Sequence, residues 1–271
     1  MQPPGGPQKF ALPNIQYLVA VASGKGGVGK STVAANLALA LLAQGKRVGL
    51  MDADIYGPSI PTMLGIGDVD PQTTPFPIER HGLLVMSMGF LLGPEKAAVL
   101  RGPMVQRYLQ SFLTQIDWGR LDYLLVDMPP GTGDAQLALA QTAPVAGTVI
   151  VTTPQDVSLN VARRGVQMFR QTQVPILGVV ENMSYFIGDD GKRYDIFRSG
   201  GGRRLAEESG VPFLGEVPID PRVAECGDLG DPVARRYPDS PAARAYLALA
   251  ENVDRQLRQA EQPKDLPEVQ L

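Results

Sequence analysis

Gly24-Lys25-Gly26-Gly27-Val28-Gly29-Lys30-Ser31 is the stretch on which the architecture turns. Its spacing, G-x-x-x-x-G-K-[ST], is that of a loop that wraps phosphate. The apolar run Tyr17 to Ala22 enters it and suits a strand buried on both faces. An alanine- and leucine-rich segment, Ser31 to Gln44, leaves it as a helix that Gly45 stops. Glycines let backbone N–H groups close on the β-phosphate, and the helix start adds a favourable partial charge. Lys30 then reaches the β- and γ-phosphate oxygens, Ser31 ligates Mg²⁺ and Thr32 bonds the α-phosphate. A dinucleotide loop is a poorer match, because it does not require the Lys30-Ser31 pair. The expected ligand is ATP with Mg²⁺, held by Gly24, Lys25, Gly26, Gly27, Val28, Gly29, Lys30, Ser31 and Thr32.

Working outward, Arg47 to Met51 is a second strand running into Asp52-Ala53-Asp54, which completes one βαβ unit. The alternation continues with strands at Leu83 to Met88, Leu121 to Val126, Thr148 to Thr153, Ile176 to Val180 and Pro212 to Val217. Helices are predicted at Met104 to Gln115, Val157 to Gln171, Gly201 to Ser209 and Ser240 to Gln259. This is the pattern of a single doubly wound, mostly parallel α/β domain over 15–262. Residues 1–14 read as a disordered lead-in and 263–271 as a frayed tail. Asp68 to Arg80, with Pro71, Pro75 and Pro77, reads as a surface loop, and Tyr185 to Gly202 as a hairpin turning at Asp190-Gly191.

Three carboxylates stand at strand ends. Asp127 closes Leu124-Leu125-Val126-Asp127 and suits the group that holds Mg²⁺ through water. The loop after it carries Gly131, whose amide is placed to sense the γ-phosphate. Alternation puts Asp52 and Asp54 on one side of the chain, Asp52 for the Mg²⁺ shell and Asp54 for orienting the attacking water. An Asx-turn role for Asp54 stays open.

Hydrophobic residues make up 44% of the 271, charged residues 20%, and the net charge is -3, so bulk electrostatics favour neither nucleic acid nor an anionic membrane. The arginine pairs Arg163-Arg164 and Arg203-Arg204 read as solvated helix faces. With one cysteine, Cys226, no intrachain disulfide or CxxC metal knuckle is available. No signal-peptide pattern and no apolar run of about 18 residues is present, so a cytoplasmic location is expected.

Four stretches together resemble the Mrp (ApbC) family of iron–sulfur cluster carrier ATPases, a branch of the MinD/ParA-like deviant-Walker class. They are Val19 to Leu42 (VAVASGKGGVGKSTVAANLALALL), Val48 to Pro61 (VGLMDADIYGPSIP), Leu124 to Asp134 (LLVDMPPGTGD) and Val180 to Phe186 (VENMSYF). The likeness spans Ile15 to Leu247, and DADIYGPSIP separates this branch from the cell-division and DNA-partition branches. It implies an ATP-hydrolysing homodimer that carries a [4Fe–4S] cluster to apoprotein clients. By similarity, Lys25 crosses the dimer interface to the partner's nucleotide, where a cation stabilises the transferring phosphoryl group; a solvated loop lysine is the plain alternative. By the same likeness Asn182 reads the adenine edge, and Pro218 and Asp220 line the base pocket. Relatives carry a CxxC after the SYFI-like segment, and here the matching positions are Gly188 and Gly191. Clusters are held by thiolates, usually four, and Cys226 lies far along the chain.

Two functions follow from different classes of protein. One is a cluster carrier whose ligands have diverged. The other is an ATP-driven dimer switch that binds protein partners and carries no cluster. A metabolic kinase has no visible acceptor site. The last helix mixes Arg255 and Arg258 with Glu251, Asp254 and Glu261, which suits neither a membrane surface nor DNA.

Overall fold

The computed structural model describes residues 9–74, 76–91 and 102–261. Residues 1–8 of the expected lead-in and the whole expected tail, 263–271, lie outside the described residues. Within the lead-in, Phe10 and Leu12 pack against the core, and the Phe10 N–H donates to the Thr142 carbonyl at 3.2 Å.

The apolar runs form one eight-stranded sheet, of order β10-β7-β6-β1-β5-β2-β4-β3. Its members are β1 (Ile15–Ser23), β2 (Val48–Asp52), β3 (Ile78–Arg80), β4 (Leu83–Ser87), β5 (Leu121–Asp127), β6 (Val145–Thr152), β7 (Ile176–Glu181) and β10 (Phe213–Glu216). Strands β8 (Phe186–Ile187) and β9 (Arg193–Tyr194) form the separate hairpin expected at Asp190-Gly191, where Gly191 has φ 73°. All pairings in the large sheet are parallel except β3 with β4. β1, β2, β5, β6 and β7 are buried over most of their length, as continuous apolar runs in a sheet covered on both faces should be.

Helix α1 (Lys30–Ala43) follows the glycine loop and ends where Gly45, at φ 79°, donates to the Leu42 carbonyl. It packs on α9 (Pro241–Glu261), the long final helix. Between them in sequence come α2 (Ile60–Met63), α3 (Gly102–Thr114), α4 (Asp134–Thr142), α5 (Asp156–Gln171), α6 (Gly201–Glu208), α7 (Pro221–Asp228) and α8 (Val233–Arg236). Helices α2, α4, α7 and α8 have no counterpart among the predicted helices. The predicted loop Asp68 to Arg80 is shorter than expected, since its last three residues pair antiparallel with β4 as an edge strand.

The order matters for function. β1 is flanked by β5 and β6, and β5 by β2, so the carboxyl ends of β1, β2 and β5 open at one edge of the sheet. Ligands of open α/β sheets bind at this edge. Register places Val21 beside Asp127 and Asp52 beside Asp127, which brings the glycine loop and two acids together.

Candidate functional site

The loop from Gly24 to Gly29 is shaped by backbone angles that side chains disfavour. Gly27 and Gly29 have φ 78° and 80°, left-handed values at which a Cβ is strained. Gly29 is doubly constrained, because a Cβ there would lie 2.2 Å from Asn182 Nδ2. That amide donates to the Val28 carbonyl at 2.8 Å, so the turn after β7 is fastened directly to the phosphate loop. At Gly24 a Cβ would meet the backbone of Val161 at 2.4 Å, so α5 packs flush on the loop.

At the start of α1, Lys30 and Ser31 converge on Asp127. Lys30 Nζ stands 2.5 Å from Asp127 Oδ1, and Ser31 Oγ donates to Oδ2 at 2.5 Å. Asp127 is wholly buried and Lys30 is 6% exposed. Asp52, next to Asp127 across the sheet, is also wholly buried. Its oxygens accept from the Asp54 N–H at 3.1 Å, the Ile60 N–H at 3.2 Å and Ser87 Oγ at 3.2 Å. Burial first, then the neighbouring Asp127 charge, pushes the Asp52 carboxyl up to about 8. Burial also raises Asp127, against the pull of Lys30. Two acids thus crowd one ammonium, and Asp127, which touches it, is the better compensated of the two.

Strand β2 ends at Asp52, so simple alternation does not carry through to Asp54, and the two side chains take different surroundings. Asp52 faces the backbone of 54–60. Asp54 lines the phosphate cleft and accepts from the Gly57 N–H at 3.2 Å, which is turn geometry. The cleft has a volume of about 200 Å³ and is also bounded by Lys25, Gly26, Gly27, Lys30, Ser31 and Thr32. Lys25 is half-buried on its rim, with its carbonyl accepting from Ser23 Oγ at 2.9 Å. The Gly131 amide, expected to face the γ-phosphate, donates instead to the Ser23 carbonyl at 3.0 Å, tying the loop after Asp127 to the end of β1.

The cleft opens into a larger cavity of about 560 Å³, with Gly29, Thr32, Ser59 and Met63 common to both walls. Asn182, Pro218 and Asp220 all line it. The carboxylate of Asp220 is engaged, however: it caps α7 by accepting from the Arg222 N–H at 3.0 Å and receives Arg222 Nε and Nη2 at 2.9 and 2.8 Å. Among the lining residues that sequence reasoning missed are Pro58, Ser59, Phe197 and Tyr246. The first two belong to the quoted DADIYGPSIP stretch and were findable there.

The hairpin gives a different picture. Gly188 and Gly191 close its turn through their backbones, Gly188 N–H to Lys192 O and Gly191 N–H to Gly188 O, both 2.9 Å, and the Asp190 carboxylate adds bonds from the Lys192 N–H and the Tyr194 hydroxyl. Ile187, Tyr194, Ile196 and Phe197 are exposed around it. Its stem is held by Glu181, buried at the end of β7, which accepts from Ser184 Oγ at 2.6 Å, from the Gly200 N–H at 3.1 Å and from the Gly202 N–H. Cys226 is buried inside α7, and burial pushes its thiol up, away from the thiolate that binds metal. Among the described residues no group of three or more His, Cys, Asp or Glu side chains is placed to hold a metal ion.

The family model for ParA, described as the NUBPL iron-transfer P-loop NTPase, matches residues 14–254. The chain belongs to this family. An iron-sulfur cluster carrier protein of Synechocystis, a relative of this NUBPL-family chain, is 51% identical over 262 residues, covering 91% of this chain and 74% of its own. Among solved structures, a nucleotide-binding protein from Archaeoglobus fulgidus in complex with ADP is 42% identical, with a TM-score of 0.70 over 81% of this chain and 88% of that one. The cell-division ATPase MinD of Pyrococcus furiosus superposes with a TM-score of 0.70 at 22% identity, over 89% and 99% of the two chains, and shows the shared fold. The NUBPL-family chain is therefore a P-loop NTPase on the MinD/ParA scaffold, and no helix among its described residues is long and apolar enough to cross a membrane.

Proposed function

We propose that the chain is a Mg²⁺-dependent ATPase that works as a homodimer in iron–sulfur cluster delivery. The observation that carries the ATPase half is the convergence of Lys30, Ser31 and Asp127 beneath a loop in which Gly24 and Gly29 have no room for a side chain. The donor set fits Mg²⁺, a hard cation that takes one or two carboxylates, a hydroxyl and phosphate oxygens and keeps several waters. Ser31 and Asp127 would hold it, and the ion supplies neutralisation of the β- and γ-phosphate oxygens. Lys30 leaves Asp127 for the same oxygens. Asp54, on the cleft wall, orients the water whose oxygen bonds to the γ-phosphorus as the bridge to the β-phosphate breaks, giving ADP and phosphate. Asp52 serves the metal from behind, by fixing the 54–60 segment through two hydrogen bonds and tying it to Ser87 through a third. Lys25 acts on the nucleotide of the partner protomer. The base sits against Asn182, Pro218 and the backbone around Asp220.

Phosphate release from Mg·ATP by wild type and Lys30→Ala, each checked for native circular dichroism, tests this half. Turnover by wild type and none by the variant is expected; near-equal turnover overturns the assignment.

Iron–sulfur delivery rests on the carrier names of relatives such as the Synechocystis protein. The residues of this chain do not fit a resident [4Fe–4S] cluster, since Gly188 and Gly191 offer no thiolate and Cys226 is buried. That observation favours a second reading, an ATP-driven dimer switch that acts on protein partners and carries no cluster. Anaerobic reconstitution with iron and sulfide separates them. About four irons per dimer support carriage on non-cysteine ligands; no retained iron leaves the switch, which takes part in delivery only through a partner's thiolates.

A further inference from the structure

The polar side chains that line the 560 Å³ cavity from buried positions are Asn36, Asn182 and Tyr246. Two of them are already paired. Asn36 donates to the Thr32 carbonyl at 2.9 Å and accepts from the Ala234 N–H at 3.0 Å, which fixes α1 to α8. Asn182 donates to Val28. Tyr246 differs. It reaches the cavity from α9, is wholly buried, and its hydroxyl has no hydrogen-bond partner among the described residues. Buried polar groups are nearly always paired, so an unpaired one on the wall of a ligand cavity points to the ligand as the partner. Burial, with the Asp220 carboxylate nearby, holds the phenol proton on well above the ordinary tyrosine range. The hydroxyl is therefore a donor in search of an acceptor.

Resting on the nucleotide reading above, we propose that Tyr246 lines the nucleoside subsite and donates a hydrogen bond to an acceptor on the nucleoside half of the bound nucleotide. Purine ring nitrogens and ribose oxygens are such acceptors, and the triphosphate is not involved, because the phosphate cleft has Lys25, Lys30 and Ser31 on its wall and not Tyr246. No feature of Tyr246 in the sequence signals this role, since on an amphipathic final helix it reads as a core aromatic.

The test is Tyr246→Phe in the full chain, which removes one oxygen and keeps the ring. Calorimetric binding of Mg·ADP should weaken about fivefold, the worth of one hydrogen bond. Binding of Mg·pyrophosphate, which has no nucleoside, should not change. Without nucleotide the variant should melt at the same temperature as wild type or higher, because phenylalanine leaves no buried donor unpaired. 2′-Deoxy-ADP and 7-deaza-ADP then locate the acceptor: the analogue lacking it binds wild type and variant alike. Unchanged Mg·ADP affinity with a lower melting temperature means that the hydroxyl serves the fold, and overturns the proposal. Equal weakening of Mg·ADP and Mg·pyrophosphate also overturns it, by showing an indirect effect on the phosphate loop. Should wild type bind neither ligand, the nucleotide reading fails first and this proposal falls with it.

Discussion

Replacing Gly29 with alanine tests the fastening of the phosphate loop to the turn after β7. Two costs are legible in the geometry. A non-glycine residue held at φ 80° is strained by about 1 kcal/mol. The new Cβ, 2.2 Å from Asn182 Nδ2, also drives the amide off the Val28 carbonyl, and a buried carbonyl left without its donor costs about 2 kcal/mol. The sum, about 3 kcal/mol, corresponds to a fall in melting temperature of about 6–12 °C for a domain of this size. The two parts separate in a double-mutant cycle. Asn182→Ala alone already removes the hydrogen bond and the obstacle. In that background Gly29→Ala should cost only the backbone strain, leaving a coupling of about 2 kcal/mol. Urea denaturation of the four proteins measures it. An equal cost of Gly29→Ala in both backgrounds would refute the reasoning, because the amide would then not be what the Cβ meets.

Lys25→Ala should leave Mg·ADP affinity within about twofold but cut ATP-dependent dimerisation, and with it turnover by about a thousandfold, since a trans-acting cation contributes on that scale; light scattering and phosphate release read the two effects. Glu181→Gln keeps the size but sets an amide against donors from Ser184, Gly200 and Gly202, so a loss of about 3 kcal/mol in urea is expected, with faster proteolysis between 185 and 200. The Arg47 guanidinium beside Asp122 holds that carboxyl down at about 2. Because the folded value lies below the unfolded one near 3.9, the pair stabilises above about pH 4 and loses its effect as pH falls through about 2. Asp122→Asn should therefore cost about 1 kcal/mol at pH 7, the scale of an exposed ion pair, and progressively less below pH 4 by denaturant titration.

The sheet was readable because a strand buried on both faces shows itself locally: Tyr17 to Ala22, Tyr123 to Val126 and Val149 to Val151 are apolar runs that need no partner to be recognised. Asp127 was readable for a related reason, since it stands where a run stops, and Lys30 and Ser31 by their spacing from the loop glycines. What escaped depends on distant chain. The three residues of β3 have strand character only against β4, and the proline-rich segment before them hid it. Helix α7 did carry a local signal, Asp220 capping with Pro221 at its first position. Tyr246 enters the cavity only because α9 packs on α1, a contact between segments 200 residues apart in sequence that no motif reports. The splitting of Asp52 from Asp54 could not be foreseen from alternation, which holds only while the strand lasts.

Helix α7 has two faces with unlike neighbours. Val223, Ala224 and Gly227 look onto the 560 Å³ cavity, while Cys226 is sealed in the core behind them. The chain's one thiol is therefore a built-in gauge of how often that wall swings open. A thiol reagent in solution reacts only during those openings, and any ligand that rests against α7 lengthens the interval between them. Occupancy of the cavity is thus written into the reactivity of a sulfur that the ligand never touches.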